Sequence, residues 1–327
     1  MAKKVWESRN LKNCNPYLIR MAGTKIRVYV TGATGRLGKE VLKLLPTAIP
    51  LVREKSGLKN EMLTDFSESS LKGILKDATT IVHLAGSMNF LDPNELKAAN
   101  VELTRRIVST TPKSARIVFA SSISVYGKLI RVVPADENSP TNLDSPYAAT
   151  KLEAEKIILD SNTNSIILRI GTIYGPGFSD YNMILSQIKN GSMKIIGHGQ
   201  NRVPFVHVMD VAKSIKGALD EKNAKPGVYV VCGESLKQQE LLSIAAEFLG
   251  VSAPADFVPL DFALMFAQFE QSKAMLSKTK PKVTTEHILI LASDRVFNSD
   301  KAKKSLGFNP RPLKDGIKEM VEEFVQL

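Results

Sequence analysis

The sequence predicts an α/β protein built on a doubly wound parallel sheet, with a smaller, mostly helical C-terminal cap. Three observations lead there. Short apolar runs rich in β-branched residues alternate with segments of helical period up to about residue 175. The first such run breaks into a glycine-rich turn that opens a helix, and beyond Gly177 the patterning becomes mostly helical. Strand–helix alternation implies crossover connections, and crossovers lay helices on both faces of a parallel sheet.

The elements follow in order. "KIRVYVTGATGRLGKEVLKLL" (25–45) holds a strand from Ile26 to Thr31, then a helix with Leu37, Val41, Leu44 and Leu45 on one stripe. "AIPLVRE" gives a second short strand. "TTIVHLAGS" (79–87) and "ARIVFASSISVYG" (115–127) are further strands ending in small residues, separated by the helical-period segment "DPNELKAANVELTRRIVSTT". "SPYAATKLEAEKII" (145–158) reads as a helix, and "SIILRIGTIYGPG" (165–177) as another strand. With no linker, repeat or low-complexity tract, the division is blurred: a basic extension at 1–20, a dinucleotide-binding domain at 21–175 completed by about 203–232, and a cap from 176–202 and 233–327.

Composition narrows the function. Hydrophobic residues make up 43% and charged residues 24%, ordinary for a soluble globular chain. No apolar run approaches the ~18 residues of a membrane span, so none is expected. Two cysteines far apart, Cys14 and Cys232, form no disulfide framework, which favours a cytoplasmic protein. The net charge of +11 raises the question of nucleic acid. Yet six of the cations lie before residue 26 against a single carboxylate there, and no aromatics interleave with the remaining lysines. A nucleic-acid partner is therefore not expected. Four histidines and two cysteines show no metal-ligand spacing, and His207 reads as a core residue.

Two patterns carry chemistry. In "TGATGRLG" (31–38), Gly32, Gly35 and Gly38 follow a strand and open a helix, the context that gives a weak glycine pattern its meaning. Gly32 permits the tight turn, Gly35 the approach of a pyrophosphate, and Gly38 close helix–strand packing, while the helix N-terminus offers amide donors. This makes the fold Rossmann-type. Tyr147 and Lys151 stand one helical turn apart, so both project from one face, where an ammonium favours the phenolate of a neighbouring tyrosine.

Together with "TDF", "HLAG", "ASSISVYG", "YAATK", "LRIGTIYGPG", "FVHVMDVA" and "SLGFNPRPL", in this order from about residue 25 to the end, these motifs make the chain resemble the extended short-chain dehydrogenase/reductase superfamily. That superfamily includes nucleotide-sugar epimerases and dehydratases, 3β-hydroxysteroid dehydrogenases and dihydroflavonol reductases. The resemblance implies an NAD(P)-dependent enzyme with Ser122, Tyr147 and Lys151 as catalytic residues, Ser121 and Ser124 being near alternatives to Ser122. It implies that Asn100 supports the active-site helix. For the cofactor it implies Thr34, Arg36, Leu37 and the three glycines, Asp65 at the adenine amino group beside Phe66, the backbone of Leu84, Ala85 and Gly86, and Ile170. Ser87, Ser122, Ser124, Asn182 and Arg202 are the substrate-side candidates, and a homodimer through the helices at about 92–110 and 144–162 is implied.

Two enzyme readings compete. Arg202 and Asn182 suit a nucleotide-sugar diphosphate, as in an epimerase or dehydratase. The tail "PKVTTEHILILASDRVFNSDKAKKSLGFNP" resembles instead the reductase branch and favours an oxidoreductase acting on a ketone or secondary alcohol. A third reading is a non-catalytic dinucleotide-binding subunit, against which stands the presence of Ser122, Tyr147 and Lys151 together. The second strand ends in Arg53, suited to a 2′-phosphate, so NADP is favoured over NAD; Glu54 at the ribose is the opposing choice. The stretch 261–276, rich in Phe and Met, reads as cap core, with an apolar substrate lining or a membrane-surface contact as the alternatives.

Overall fold

The computed structural model describes residues 26–161, 164–178 and 180–326; the basic extension expected at 1–20 lies outside the described residues. The chain begins β1 (Val28–Thr31), α1 (Arg36–Leu44), β2 (Ile49–Val52), β3 (Met62–Leu63), α2 (Glu68–Leu75) and β4 (Thr80–His83). It continues α3 (Pro93–Leu96), α4 (Leu103–Thr110), β5 (Arg116–Ser122), α5 (Pro146–Leu159) and β6 (Asn164–Ile170). Then come β7 (Thr172–Tyr174), α6 (Asp180–Lys189), β8 (Ile195–Ile196), β9 (Arg202–His207), α7 (Val208–Gly217) and β10 (Gly227–Val231). The remainder is β11 (Ser235–Lys237), α8 (Gln238–Leu249), β12 (Phe257–Val258), α9 (Leu260–Ser277), α10 (Thr285–Ala292), α11 (Asp300–Leu306) and α12 (Leu313–Gln326).

Seven strands form one sheet in the order β10-β6-β5-β4-β1-β2-β3, parallel throughout. Side chains alternate between faces along a strand, and here both alternating sets are apolar, as burial on two sides requires. Val30, Val82, Val118 and Ile166 meet Val41, Val211 and Ile215 on one face. Their neighbours Tyr29, Ile81, Ile117 and Ile167 meet Leu71, Ile107 and Ile158 on the other. Each fully buried aliphatic side chain contributes on the order of 1.5–3 kcal/mol, which is why these runs fix the sheet.

The predicted strand at 165–177 is in fact two. The chain leaves the sheet at Gly171, where an added Cβ would lie 3.0 Å from the Cys232 sulfur, and β7 pairs with β9 in a separate three-stranded sheet with β11. Of the segment 203–232, expected to complete the main sheet, only β10 joins it. In the C-terminal part, β8 pairs with β12, and α9 and α10 pack over Ile196 through Ala263, Ala267 and Ile288. Among the described residues no helix is long and apolar enough to cross a membrane, and no cluster of His, Cys, Asp or Glu could hold a metal ion.

Candidate active site

The glycine turn closes at the C-terminal edge of the sheet. Gly32 sits at φ +68°, and an added Cβ would lie 2.7 Å from the Ala85 nitrogen. At Gly38 it would meet the Gly32 carbonyl oxygen at 2.2 Å, so α1 docks on the turn only without a side chain there. Gly35 is the N-cap of α1 and supplies no side-chain cap, leaving the first-turn amides to another acceptor. Thr34 and Arg36 are exposed beside it and Leu37 is half-buried. The Arg36 guanidinium lies 2.6 Å from Asp180 and 4.6 Å from the centre of the Phe178 ring, so it leans toward α6.

At the far end of this edge, Arg53 follows β2 directly and is exposed, its guanidinium 5.8 Å from the centre of the Phe66 ring. Glu54 is exposed as well. Phe66 holds φ +58°, unusual for a bulky residue, and its amide donates to the Thr64 hydroxyl. This turn leaves Asp65 on the surface, where its carboxylate accepts from the Ser67 amide and is held below the usual carboxylate range by that bond.

Asn100 is the hub between sheet and helix. It lies in a π-helical turn (Lys97–Glu102) joining α3 to α4, a wide turn of the kind found at functional positions. Its Oδ1 accepts from the Ser87 amide at 2.9 Å, and its Nδ2 donates to the Ser87 carbonyl at 3.1 Å and to the Thr150 hydroxyl at 3.1 Å. One buried amide thereby fixes the loop after β4 against the face of α5. Gly86 next door leaves room for this amide, since a Cβ there would come 2.6 Å from the Asn100 oxygen and displace it. Leu84, Ala85 and Gly86 line this edge, whereas the Ser87 hydroxyl is engaged with Glu95 at 2.6 Å.

Helix α5 begins at Pro146 with Ser145 as its cap, so Tyr147 lies in the first turn and Lys151 one turn on. The structure separates the three candidate serines. Ser121 donates to buried Glu155, which is paired with Arg169 at 2.8 Å; Arg169 in turn reaches the Tyr126 hydroxyl at 2.8 Å. Ser121 is thus committed to a structural network. Ser122 is half-buried, caps the short turn after β5 by accepting from the Ser124 amide at 3.1 Å, and donates to the Ser124 hydroxyl at 3.1 Å.

The expected lowering of the Tyr147 pKa by Lys151 is not what this arrangement shows. Burial pushes the phenol up to about 12, and the Ser122 hydroxyl offsets only part of that. Lys151 points at the sheet instead: its ammonium donates to the Ala120 carbonyl at 2.6 Å and sits 4.3 Å from the centre of the Phe119 ring. Burial brings it down to about 8, with Glu155 pulling the other way. Nearby His83 is held neutral, at about 3, by burial and by the Lys151 charge, while its ring nitrogens bridge Thr31 at 2.7 Å and Thr104 at 2.9 Å.

Tyr147 faces a cavity of about 210 Å³ lined also by Phe90, Leu91, Pro146, Gln271, Thr284 and Glu286, together with Ser145 and Thr285. The Phe90 ring meets Tyr147 edge-on at 5.5 Å and His287 at 5.4 Å. Sequence reasoning missed these cavity residues. Only the helix start at "PKVTT" signalled part of them, and nothing in it gave their position opposite Tyr147. Asn182, half-buried on α6, does not line this cavity, nor does Arg202, which forms a two-pronged pair with Asp294 at 2.7 and 2.9 Å. His207 caps α7 by accepting from the Met209 amide at 3.2 Å, consistent with a structural role.

The model of the NAD dependent epimerase/dehydratase family matches residues 28–232. The chain belongs to that family. Within it the chain is similar to 3β-hydroxysteroid-dehydrogenase/decarboxylase isoform 1 of Arabidopsis thaliana, with 26% identity over 88% of this chain and 74% of that one. It is also similar to a protein of Methanocaldococcus jannaschii described as a UDP-glucose 4-epimerase by inference, with 28% identity over 90% of this chain and 97% of the other. In fold it matches UDP-glucuronic acid 4-epimerase from Bacillus cereus, a structure holding UDP-glucuronic acid and NAD. That match has a TM-score of 0.72 and 19% identity, and covers 92% of this chain and 99% of that one. Membership makes this chain an epimerase/dehydratase-family enzyme of the extended short-chain type. Its residues fit the family's dinucleotide: an uncapped helix start stands beside a glycine, Gly35, whose added Cβ would meet only the Gly32 oxygen, at 3.2 Å.

Proposed function

We propose that this chain is an oxidoreductase that interconverts a ketone and a secondary alcohol, using NADP in preference to NAD, with Tyr147 as the proton-transferring group. The observation that carries the reading is the lining of the cavity at Tyr147. It holds aromatic, aliphatic, hydroxyl and amide groups and one carboxylate, Glu286, and no cationic side chain. The nearest cation, Lys128, is already shared between Glu286 at 3.0 Å and Asp144 at 3.1 Å, so a diphosphate there would find no free positive charge, whereas a neutral carbonyl compound meets apolar walls and hydroxyl donors. Arg202, the residue suited to a diphosphate, is neutralised by Asp294.

In this reading the turn at Gly32, Thr34, Gly35 and Leu37 and the backbone of Leu84–Gly86 receive the pyrophosphate and ribose. Asp65 and Phe66 flank the adenine, and Ile170, buried at the end of β6, backs the nicotinamide side. Arg53 has no ion pair among the described residues and is placed to take a 2′-phosphate in paired charge-assisted bonds. Arg36 would join it only by leaving Asp180. The bound dinucleotide supplies or accepts hydride. Every proton step belongs to the chain: Ser122 donates a hydrogen bond to the substrate oxygen and Tyr147 delivers its proton there. A phenol near 12 stays protonated at neutral pH, which poises it as a donor for reduction. Lys151, positively charged below about 8, stabilises the phenolate left behind and holds a ribose only once it turns from the Ala120 carbonyl toward them. Asn100 positions α5 through Thr150. A homodimer through the helices at 92–110 and 144–162 belongs to the same reading, and sedimentation would check it.

The test is cofactor stoichiometry. The purified chain is given NADPH with a panel of apolar ketones, and separately NADP with nucleotide sugars. One NADPH consumed per ketone reduced is expected. Interconversion of nucleotide-sugar epimers without net cofactor turnover would replace this reading with the epimerase one, which the similarity to the archaeal relative keeps as the second choice.

A further inference from the structure

Helix α9 turns its small apolar side chains inward and its large ones out, the reverse of what docking on its own protein asks. Its buried positions are alanines, Ala263, Ala267 and Ala274. At 100° per residue, the opposite stripe carries Phe262, Met265, Phe266, Phe269 and Leu276. Phe262, Met265, Phe266 and Phe269 are 58–64% exposed and Leu276 is 88% exposed. A contiguous run of bulky apolar groups in water marks an interaction surface rather than packing left unfinished. Lys273 stands within this stripe, and Lys278, Lys280 and Lys282 follow directly after the helix. All four lysines are exposed, and none forms an ion pair among the described residues.

We propose that α9 and the lysines after it seat this enzyme on an anionic lipid surface, the helix lying in the interface plane with its phenylalanines among the acyl chains. The choice of occupant follows from charge. The apolar stripe suits any apolar partner, but lysines at one end and within the stripe match a sheet of anionic headgroups. Lysine stems can reach up to those headgroups while the rings go down. At 18 residues, and without the apolarity of a span, the helix lies on a bilayer and does not cross it. Gln271 lies on the inner side of α9 and lines the Tyr147 cavity, together with Thr284 and Glu286 just beyond the lysines. Seating α9 on lipid therefore brings that cavity next to the bilayer.

The experiment reads binding and no turnover, so its outcome is independent of the proposed reaction. The full chain is mixed with vesicles of phosphatidylcholine alone, and with vesicles containing about a third phosphatidylserine, and bound protein is measured by flotation. Partition onto the anionic vesicles only is expected, weakening as salt is raised. Phe266→Ser with Phe269→Ser should weaken it about tenfold or more, and Lys278→Gln, Lys280→Gln and Lys282→Gln together by a similar factor. Melting temperatures should hold, since all these side chains are exposed. No partition onto either vesicle overturns the proposal. So does binding untouched by the phenylalanine substitutions, or sedimentation showing that the phenylalanines instead join two copies of the chain.

Discussion

Strands β1, β4 and β5 place Val30, Ile81, Val82, Ile117 and Val118 wholly out of solvent, whereas α9 turns its phenylalanines outward and packs on alanines. The sheet half is fixed by its own interior: both faces are covered by helices, so large apolar side chains pointing either way find neighbours. The outer face of the cap is fixed by what it meets. Substitutions in the two regions should therefore fail in different ways, stability in one and partner or substrate recognition in the other.

The sharpest contrast is Glu155→Ala against Phe266→Ser. The first leaves Arg169 buried without its carboxylate and should cost about 3–5 kcal/mol in urea unfolding. The second removes an exposed ring and should change stability by less than ~0.5 kcal/mol. Comparable losses at both sites would erase the distinction between the halves. Next, Gly38→Ala forces a methyl group against the Gly32 oxygen and should destabilise by about 1–3 kcal/mol and weaken both nicotinamide cofactors alike.

Arg53→Ala should act on one cofactor only. NADPH binding is expected to weaken by ~1–3 kcal/mol while NADH binding stays nearly constant. A wild type that prefers NADH, or an equal loss for both, would remove Arg53 from the 2′-phosphate site.

A further effect is a pH dependence, felt only in alkaline solution. Lys151 is brought down to about 8 in the fold from its ordinary 10.5. Between those values the unfolded chain binds the proton and the folded one does not, so stability rises with pH across this window; below about 8 both are charged and the penalty is constant. Lys151→Met should flatten that rise in melting temperature relative to wild type. Equal slopes would mean that the ammonium is better solvated than its place over Phe119 implies.

The same contrast explains what could be read from sequence. Glycine spacing after a strand and the Tyr147–Lys151 interval are local patterns, and local geometry carries them unchanged into the structure. Asn100 could be guessed, but its grip on Ser87 and Thr150 depends on a π-helical turn that apolar periodicity does not mark. The cavity wall was not legible, because Phe90, Gln271 and Glu286 come from segments nearly 200 residues apart in the chain. Nor was the direction of the Tyr147 shift: the one-turn spacing suggests a lowered pKa, while burial raises it and Lys151, turned toward Ala120, does not offset that. The Phe- and Met-rich stretch at 261–276 reads as core by composition; only the placement of its alanines shows which side faces in.

The proposed reaction turns on Tyr147 moving the proton at the substrate oxygen. It is tested most directly by measuring turnover and NADPH affinity side by side in Tyr147→Phe, which keeps the ring against Phe90 and removes only the hydroxyl. Turnover is expected to fall at least ~10²-fold with NADPH affinity almost unchanged. Turnover close to wild type, with cofactor still bound, would contradict it.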